Sequence, residues 1–277
     1  MTDYTEQLEQ FALEGELVGA VSYGSGHIND TCLVTVSGST GENKYILQRI
    51  NTRIFENPQE LMENIVRVTD FLRDKIQKRG GDPRRETLNV IPTKANESFY
   101  RDSKGECWRM YRFIDGAVSL DQAERAEDLY QGGLAFGRFQ QLLADFPAQT
   151  LHETIPDFHN TPKRLADFRR AVEEDVCGLA AFVEPEIRFI MEREADTRVL
   201  MDMLAAGELP LRVTHNDTKL NNVLIDKQTG EGICVIDLDT VMPGLALNDY
   251  GDLIRFGAST AAEDERDLSR VSCDLSL

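Results

Sequence analysis

The segment Thr214 to Ile225 (THNDTKLNNVLI) concentrates residues able to do chemistry. His215-x-Asp217 is followed by Asn222, then by an apolar stretch, and a second apolar run ends at Asp237. A carboxylate beside an acceptor hydroxyl orients it and takes its proton. An amide oxygen and a second carboxylate are hard ligands suited to Mg²⁺, which neutralises charge on nucleotide phosphates. The residue types and spacing point to metal-assisted phosphoryl transfer, with Asp217 as base and Asn222 and Asp237 as metal ligands. Asn221 competes for the metal role, but only Asn222 has the spacing.

Lys219 lies two positions beyond Asp217, within reach of a transferring phosphoryl group; the plainer reading is a solvated cation. His215 is read as structural, pinning its loop by hydrogen bonds. Asp239 follows Asp237 closely, and the strand-D-x-D arrangement also fits the nucleophile motif of haloacid-dehalogenase-like phosphatases. Too little chain follows Asp237 for the sheet such enzymes need, so that reading fails on room. Asp252, in the polar Asn248–Leu253 turn, is either a helix cap or an acceptor for backbone N–H groups of the Asp217 loop.

These residues need a frame. Thr31–Ser37 and Lys44–Ile50 alternate as strands around a Gly38–Asn43 turn, and Tyr23–Asp30 is a glycine-containing turn before them. From Pro58 to about Gln77 the period changes, with Leu61, Ile65, Val68 and Leu72 on one helical face, Asn57 as cap and Pro58 at the first position. Leu88–Pro92, Ser98–Arg101 and Cys107–Ile114 read as further strands. Helices are expected over about 124–144, 161–183 and 186–206. Strands return at Arg212–Thr214, Val223–Ile225 and Ile233–Leu238. A strand-rich first part joined to a helical second part near residues 113–116 makes a cleft.

The 277 residues carry a formal net charge of −18. Such a surface repels phosphate backbones and anionic lipid, so no nucleic-acid or membrane partner is expected. No signal segment or membrane span is visible, and five widely spaced cysteines lack a disulfide or zinc pattern. A cytoplasmic setting fits; oligomeric state is not legible.

At these motifs the chain resembles the aminoglycoside phosphotransferase and choline kinase-like branch of the kinase fold. The likeness rests on His215–Asn222, Ile236-Asp237-Leu238-Asp239 and Asp252-Leu253-Ile254. Longer strings, GSGHINDT from Gly24, YILQRIN from Tyr45, FHNT from Phe158 and VIDLDTVMPG from Val235, resemble N-acetylhexosamine 1-kinases. The resemblance implies an α+β, bilobal protein-kinase-like fold. Residues 1–113 would form a nucleotide-binding lobe with an antiparallel sheet and one main helix. Residues 114–277 would form a mostly helical catalytic and acceptor-binding lobe. It also implies ATP and Mg²⁺, and a small-molecule sugar (GlcNAc or GalNAc) phosphorylated at its anomeric hydroxyl. Asp239 and Asp252 become supports of the site. Kinases of an amino alcohol, homoserine or an aminoglycoside, and a non-catalytic nucleotide- or sugar-binding protein, stay open as alternatives.

The first lobe departs from the protein-kinase pattern. Gly24-Ser25-Gly26 is a short glycine turn expected near the nucleotide, and the usual strand lysine is missing from YILQRIN. Gln48 or Arg49 falls there, on opposite faces, and Arg49 is favoured as phosphate contact because a cation is needed. Its glutamate partner is Glu60 or Glu63, with Glu63 preferred. Adenine is expected against Arg112, Phe113 and Ile114. His159 and Asn160 are candidate sugar contacts, or simply a loop and helix cap. Relatives continue with further helices beyond Asp252, so the helical lobe is expected to be incomplete at its C-terminal end.

Overall fold

Alternation along the first hairpin decides which way the sheet faces. The computed structural model describes residues 4–24, 29–39, 41–123, 125–261 and 265–274. After a single helical turn, α1 (Thr5–Leu8), come β1 (Glu16–Ser22), β2 (Asp30–Gly38) and β3 (Gly41–Ile50). Cys32, Val34, Val36, Tyr45 and Leu47 share one face of β2 and β3 and are buried under Leu8 and Phe11. The opposite face, with Ile46 and Ile50, turns toward α2 (Pro58–Lys78). The register runs to Gly38↔Gly41, so Glu42 and Asn43, expected in the turn, belong to the strand.

α2 forms as its pattern predicts. The Asn57 side chain accepts from Glu60 N–H, Pro58 occupies the first turn, and Leu61, Ile65, Val68, Leu72 and Ile76 are buried. Each such side chain contributes about 1.5–3 kcal/mol of burial free energy. The short α3 (Pro83–Glu86), β4 (Tyr100–Arg101) and β5 (Cys107–Arg112) follow. The sheet is antiparallel, ordered β1-β2-β3-β5-β4. Two expected strands shrink: Leu88–Pro92 makes only an isolated bridge at Val90, and Ser98–Arg101 reduces to β4. Asn89 spends its side chain on the carbonyls of Pro83 and Thr87, and Pro92 has no N–H to extend a ladder.

Beyond β5 the chain passes through β6 (Ala117–Val118) into α4 (Ala126–Leu142), α5 (Thr161–Glu174), α6 (Glu184–Met191) and α7 (Glu194–Ala205). α5 stops short of Val183 because Asp175 turns left-handed. Then come β7 (Arg212–Thr214), β8 (Val223–Asp226), β9 (Gly232–Val235), β10 (Met242–Gly244) and α8 (Ala246–Gly257). β6 pairs with β8 and β8 with β9, while β7 pairs with β10. The segment leaving the large sheet thus docks directly on the hairpin that carries Asn222 and leads to Asp237. β9 ends at Val235, earlier than expected, because Asp237 takes a left-handed conformation (φ 56°). One buried cluster runs from Ile50 and Tyr111 through α2 to Phe136, Val213, Val223 and Val235, so sheet and helical parts share a core. Among the described residues no helix is long and apolar enough to cross a membrane, and all five cysteines are free.

Candidate active site

The loop from Thr214 to Asn222 joins β7 to β8 and is held from below by α8. Asp249, buried on α8, accepts the N–H of His215 (2.9 Å) and of Asn216 (2.8 Å), and the Gln140 amide from α4 (2.6 Å). Burial pushes the Asp249 pKa up, against the pull of the His215 N–H. Asp252, one turn on, accepts Thr218 N–H at 2.8 Å, and its other oxygen faces Arg255. Thr218 Oγ1 donates to the Asp249 carbonyl. Asn216 adopts φ 67°, tolerable for asparagine, and donates its amide to the Thr240 carbonyl.

His215 is fully buried, with Phe136 and Phe139 edge-on at 5.2 and 6.1 Å. Its Nδ1 accepts Asp217 N–H, so the proton sits on Nε2, which donates to the Ile236 carbonyl at 2.9 Å. Both ring nitrogens are therefore used inside the fold, and the imidazole ties the loop to the Asp237 turn.

Asp217, Lys219 and Asn222 come together. Asp217 Oδ2 accepts the Asn222 amide at 3.0 Å and lies 3.2 Å from Lys219 Nζ. The same amide donates to the Asp217 carbonyl at 2.8 Å, which leaves Asn222 Oδ1 pointing away from Asp217. The side chains of Asp217 and Lys219 stay 26% and 20% exposed, so the carboxylate remains reachable by an acceptor. The Asn222 carbonyl accepts Ile236 N–H, bringing Asn222 beside the residue preceding Asp237. Crowding by surrounding protein, then repulsion from Asp239, pushes the Asp237 pKa up to about 6, although the residue stays exposed. An exposed carboxylate repelled by Asp239, on the residue after one tied to Asn222, fits a hard divalent cation that keeps several waters. No cluster of three His, Cys, Asp or Glu side chains suited to a metal occurs among the described residues; the donor set here is one amide and one carboxylate.

The sheet side differs from expectation in its cation. Gln48 and Arg49 do face oppositely, and the packing of Tyr45 and Leu47 fixes which is which. Arg49 lies on the outer face, paired with Asp30 and, at 3.3 Å, with Glu106; it is not brought to Asp217 or Asp237. Gln48 lies on the inner face, where its cross-strand partner is Arg109. Arg109, 1% exposed, donates Nε to Gln48 Oε1 at 3.1 Å and NH1 to Asp239 Oδ1 at 2.5 Å. Asp239 Oδ2 accepts the Asn29 amide at 2.7 Å. Glu63 is exposed on α2, bound to Gln59 and to His152 Nε2 at 2.8 Å, and is not joined to this cluster. Next to it on α2, Asn64 is buried and donates to the carbonyls of His152 and Val241.

Phe113 N–H pairs with the Lys44 carbonyl, and its ring meets Tyr23 at 5.6 Å. Ile114 is buried against Ala117 and Cys234. Arg112 N–H is spent on the Asn89 carbonyl and its guanidinium stacks over Tyr45, on the outer face. Gly24 takes φ 83°; Gly26 lies outside the described residues. His159 packs on Phe158 near the Asn216 backbone, its pKa lowered by burial and by Arg164. Asn160 caps α5 by accepting Lys163 N–H. Arg109, Asp249, Gln140 and Asn29 were not singled out from the sequence. The available signal was an arginine at an inward register position of an apolar strand, and a second aspartate in the Asn248–Leu253 turn.

This loop, hairpin and sheet are those of a phosphotransferase fold. Residues 20–271 match the model of the APH phosphotransferase enzyme family, and the chain belongs to that family. It is a kinase-like, small-molecule phosphotransferase. Among solved structures it is similar to an aminoglycoside phosphotransferase from Alicyclobacillus acidocaldarius (TM-score 0.58, 14% identity, 92% of this chain and 71% of that one). It is also similar to the choline kinase LicA from Streptococcus pneumoniae (TM-score 0.51, 15% identity, 94% and 76%). A GDP complex of aminoglycoside 2′-phosphotransferase-IIIa aligns with TM-score 0.52 at 15% identity, over 87% and 73%. At such identities the likeness is one of fold.

Proposed function

We propose that this chain is an ATP- and Mg²⁺-dependent kinase that phosphorylates the anomeric hydroxyl of an N-acetylhexosamine, in the cytoplasm. The observation that carries the phosphotransfer reading is the Asp217 carboxylate, open to the cleft and oriented by Asn222 and Lys219. The sugar assignment is supported by the strings around Gly24, Tyr45 and Phe158 and by His159 lying against the Asn216 backbone. Residues 1–113 would hold the nucleotide, with adenine against the Phe113–Ile114 connection, and residues 114–277 the acceptor.

Asn222 Oδ1 and Asp237 would hold Mg²⁺, which when bound offsets the charge of the nucleotide phosphates. Asp217 accepts the hydroxyl proton as the acceptor oxygen bonds the γ-phosphorus and the bond to ADP breaks; the proton then passes to solvent. An anomeric hydroxyl is more acidic than an ordinary alcohol, so a carboxylate is an adequate base. Lys219 holds the Asp217 carboxylate from one side and faces the incoming phosphoryl charge. His215, Asp249 and Asp252 fix the loop.

The test is ADP release with ATP, Mg²⁺ and a panel of sugars and amines. Release with GlcNAc or GalNAc, giving a product without a reducing end, is expected. Release only with amines supports a choline- or aminoglycoside-type kinase, which the acidic surface and the fold relatives favour as the second reading. Asp217→Ala should abolish turnover while nucleotide still binds; near-normal turnover sinks the base assignment.

A further inference from the structure

We propose that Arg109 supplies the cation of the phosphate-binding site, carried on β5 instead of β3, and acts as a positioning residue by holding Asp239 beside the metal ligand Asp237. The inference rests on the metal-ligand reading above and goes beyond it. On the inner face of β3, directly across from Arg109, lies Gln48, which carries no charge. Its oxygen takes Arg109 Nε and its amide donates to Thr31 Oγ1 at 3.1 Å, so β2, β3 and β5 together fix the guanidinium. The Tyr111 ring lies 5.3 Å from the guanidinium carbon.

From there Arg109 reaches a carboxylate 130 positions away in the chain. Asp239 is gripped twice from the sheet, by Arg109 on β5 and by Asn29 before β2, and Asn29 in turn accepts Asn51 N–H at 3.0 Å. Arginine and aspartate side chains are 1% and 5% exposed. A sealed ion pair is poor value for stability, because well-packed apolar side chains serve as well. Its position explains it better. Asp237 and Asp239 crowd negative charge where a nucleotide polyanion must come, in a chain already at −18. Arg109 offsets that charge permanently and binds the sheet to the Asp237 turn.

This role has consequences of opposite sign. Arg109→Met keeps bulk and removes charge, leaving Asp237 and Asp239 uncompensated. A bare divalent cation should then bind the nucleotide-free chain more tightly, while the nucleotide binds less tightly. With Mn²⁺ titrated into the full chain and followed by electron paramagnetic resonance, the variant should gain about tenfold in affinity. Its affinity for a non-hydrolysable ATP analogue with Mg²⁺ should fall about tenfold or more. Arg109→Lys should lie between parent and methionine variant in both measurements. Arg109→Met with Asp239→Asn, a neutral pair, should fold even where the single variant does not. It should lose the Mn²⁺ gain, and its nucleotide affinity should recover only in part, because charge balance returns but the tie from β5 to the Asp237 turn does not. Parent-like nucleotide affinity in the double variant, or two affinities falling together in a folded single variant, overturns the proposal. Asp237→Asn in the parent separates the two readings: unchanged Mn²⁺ binding there defeats the metal-ligand assignment instead.

Discussion

Asp249 is the residue whose replacement should most clearly test how the catalytic loop is held. Its carboxylate receives three donors: His215 N–H and the Gln140 amide on Oδ2, and Asn216 N–H on Oδ1. Asp249→Asn preserves size but supplies one oxygen. With that oxygen toward His215 and Gln140, the new NH₂ confronts Asn216 N–H and leaves a buried donor unmet, at about 1–3 kcal/mol. The two remaining bonds lose their charge assistance, about 1 kcal/mol each. Relief of burying a charge returns part of this, consistent with the raised Asp249 pKa. The net loss in loop ordering is about 3 kcal/mol, which corresponds to about a hundredfold in turnover. Asp252→Asn is the control. Its Oδ2 receives Thr218 N–H, which an amide oxygen still accepts, and the other side faces exposed Arg255. That loss is about 0–1 kcal/mol. Turnover measured as ADP release, with thermal unfolding of each variant, decides the matter. An Asp252→Asn loss equal to that of Asp249→Asn, or an Asp249→Asn rate close to the parent's, would refute the reasoning.

The position of Arg49 on the outer face predicts that Arg49→Met leaves the KM for ATP within about twofold of the parent, since an exposed pair is worth about 0–1 kcal/mol; a KM rise as large as that of Arg109→Met contradicts the placement. Asp237, with a folded pKa of about 6 above the ordinary 3.8, binds a proton between roughly pH 4 and 6 that the unfolded chain has released, so stability falls as pH rises through that window. Saturating Mg²⁺ should therefore raise the melting temperature more at pH 7.5 than at pH 5, and an equal or reversed shift counts against Asp237 as the ligand.

What could be read in advance follows from the range of the interactions. The Asp217–Asn222 pair and Lys219 are linked by contacts within a few residues, so fixed spacing was enough to find them. α2 announced itself through the Asn57 cap, Pro58 and a single apolar face. β1 did not, because ELVGAVS has mostly exposed residues and forms by pairing with β2. Alternation separated Gln48 from Arg49 but gave no direction; that was set by Tyr45 and Leu47 packing under Phe11, a contact between distant segments. Arg109 was hidden for the same reason, since the first arginine of CWRMYR has no visible partner until Asp239 is brought to it. Asp249 and Asp252 sit one helical turn apart, and only the approach of His215 and Gln140 shows that Asp249 carries more of the loop.

Asp237 breaks two local rules at once. Its backbone is left-handed at φ 56°, a conformation that disfavours a side chain, and its carboxylate is repelled by that of Asp239. Such costs persist only where surrounding contacts over-determine the geometry. Here they do: Ile236 is held through both its N–H and its carbonyl, by Asn222 and His215, and Val241 N–H closes the turn on the Leu238 carbonyl. The fold thus holds an exposed carboxylate at a point fixed between the catalytic loop and Arg109. On the proposed metal-ligand reading, a divalent cation arriving there would offset the charge of Asp237. The strain at Asp237 and the readiness of the site for metal are then the same physical fact, and an acidic chain can admit a polyanionic nucleotide without a basic surface.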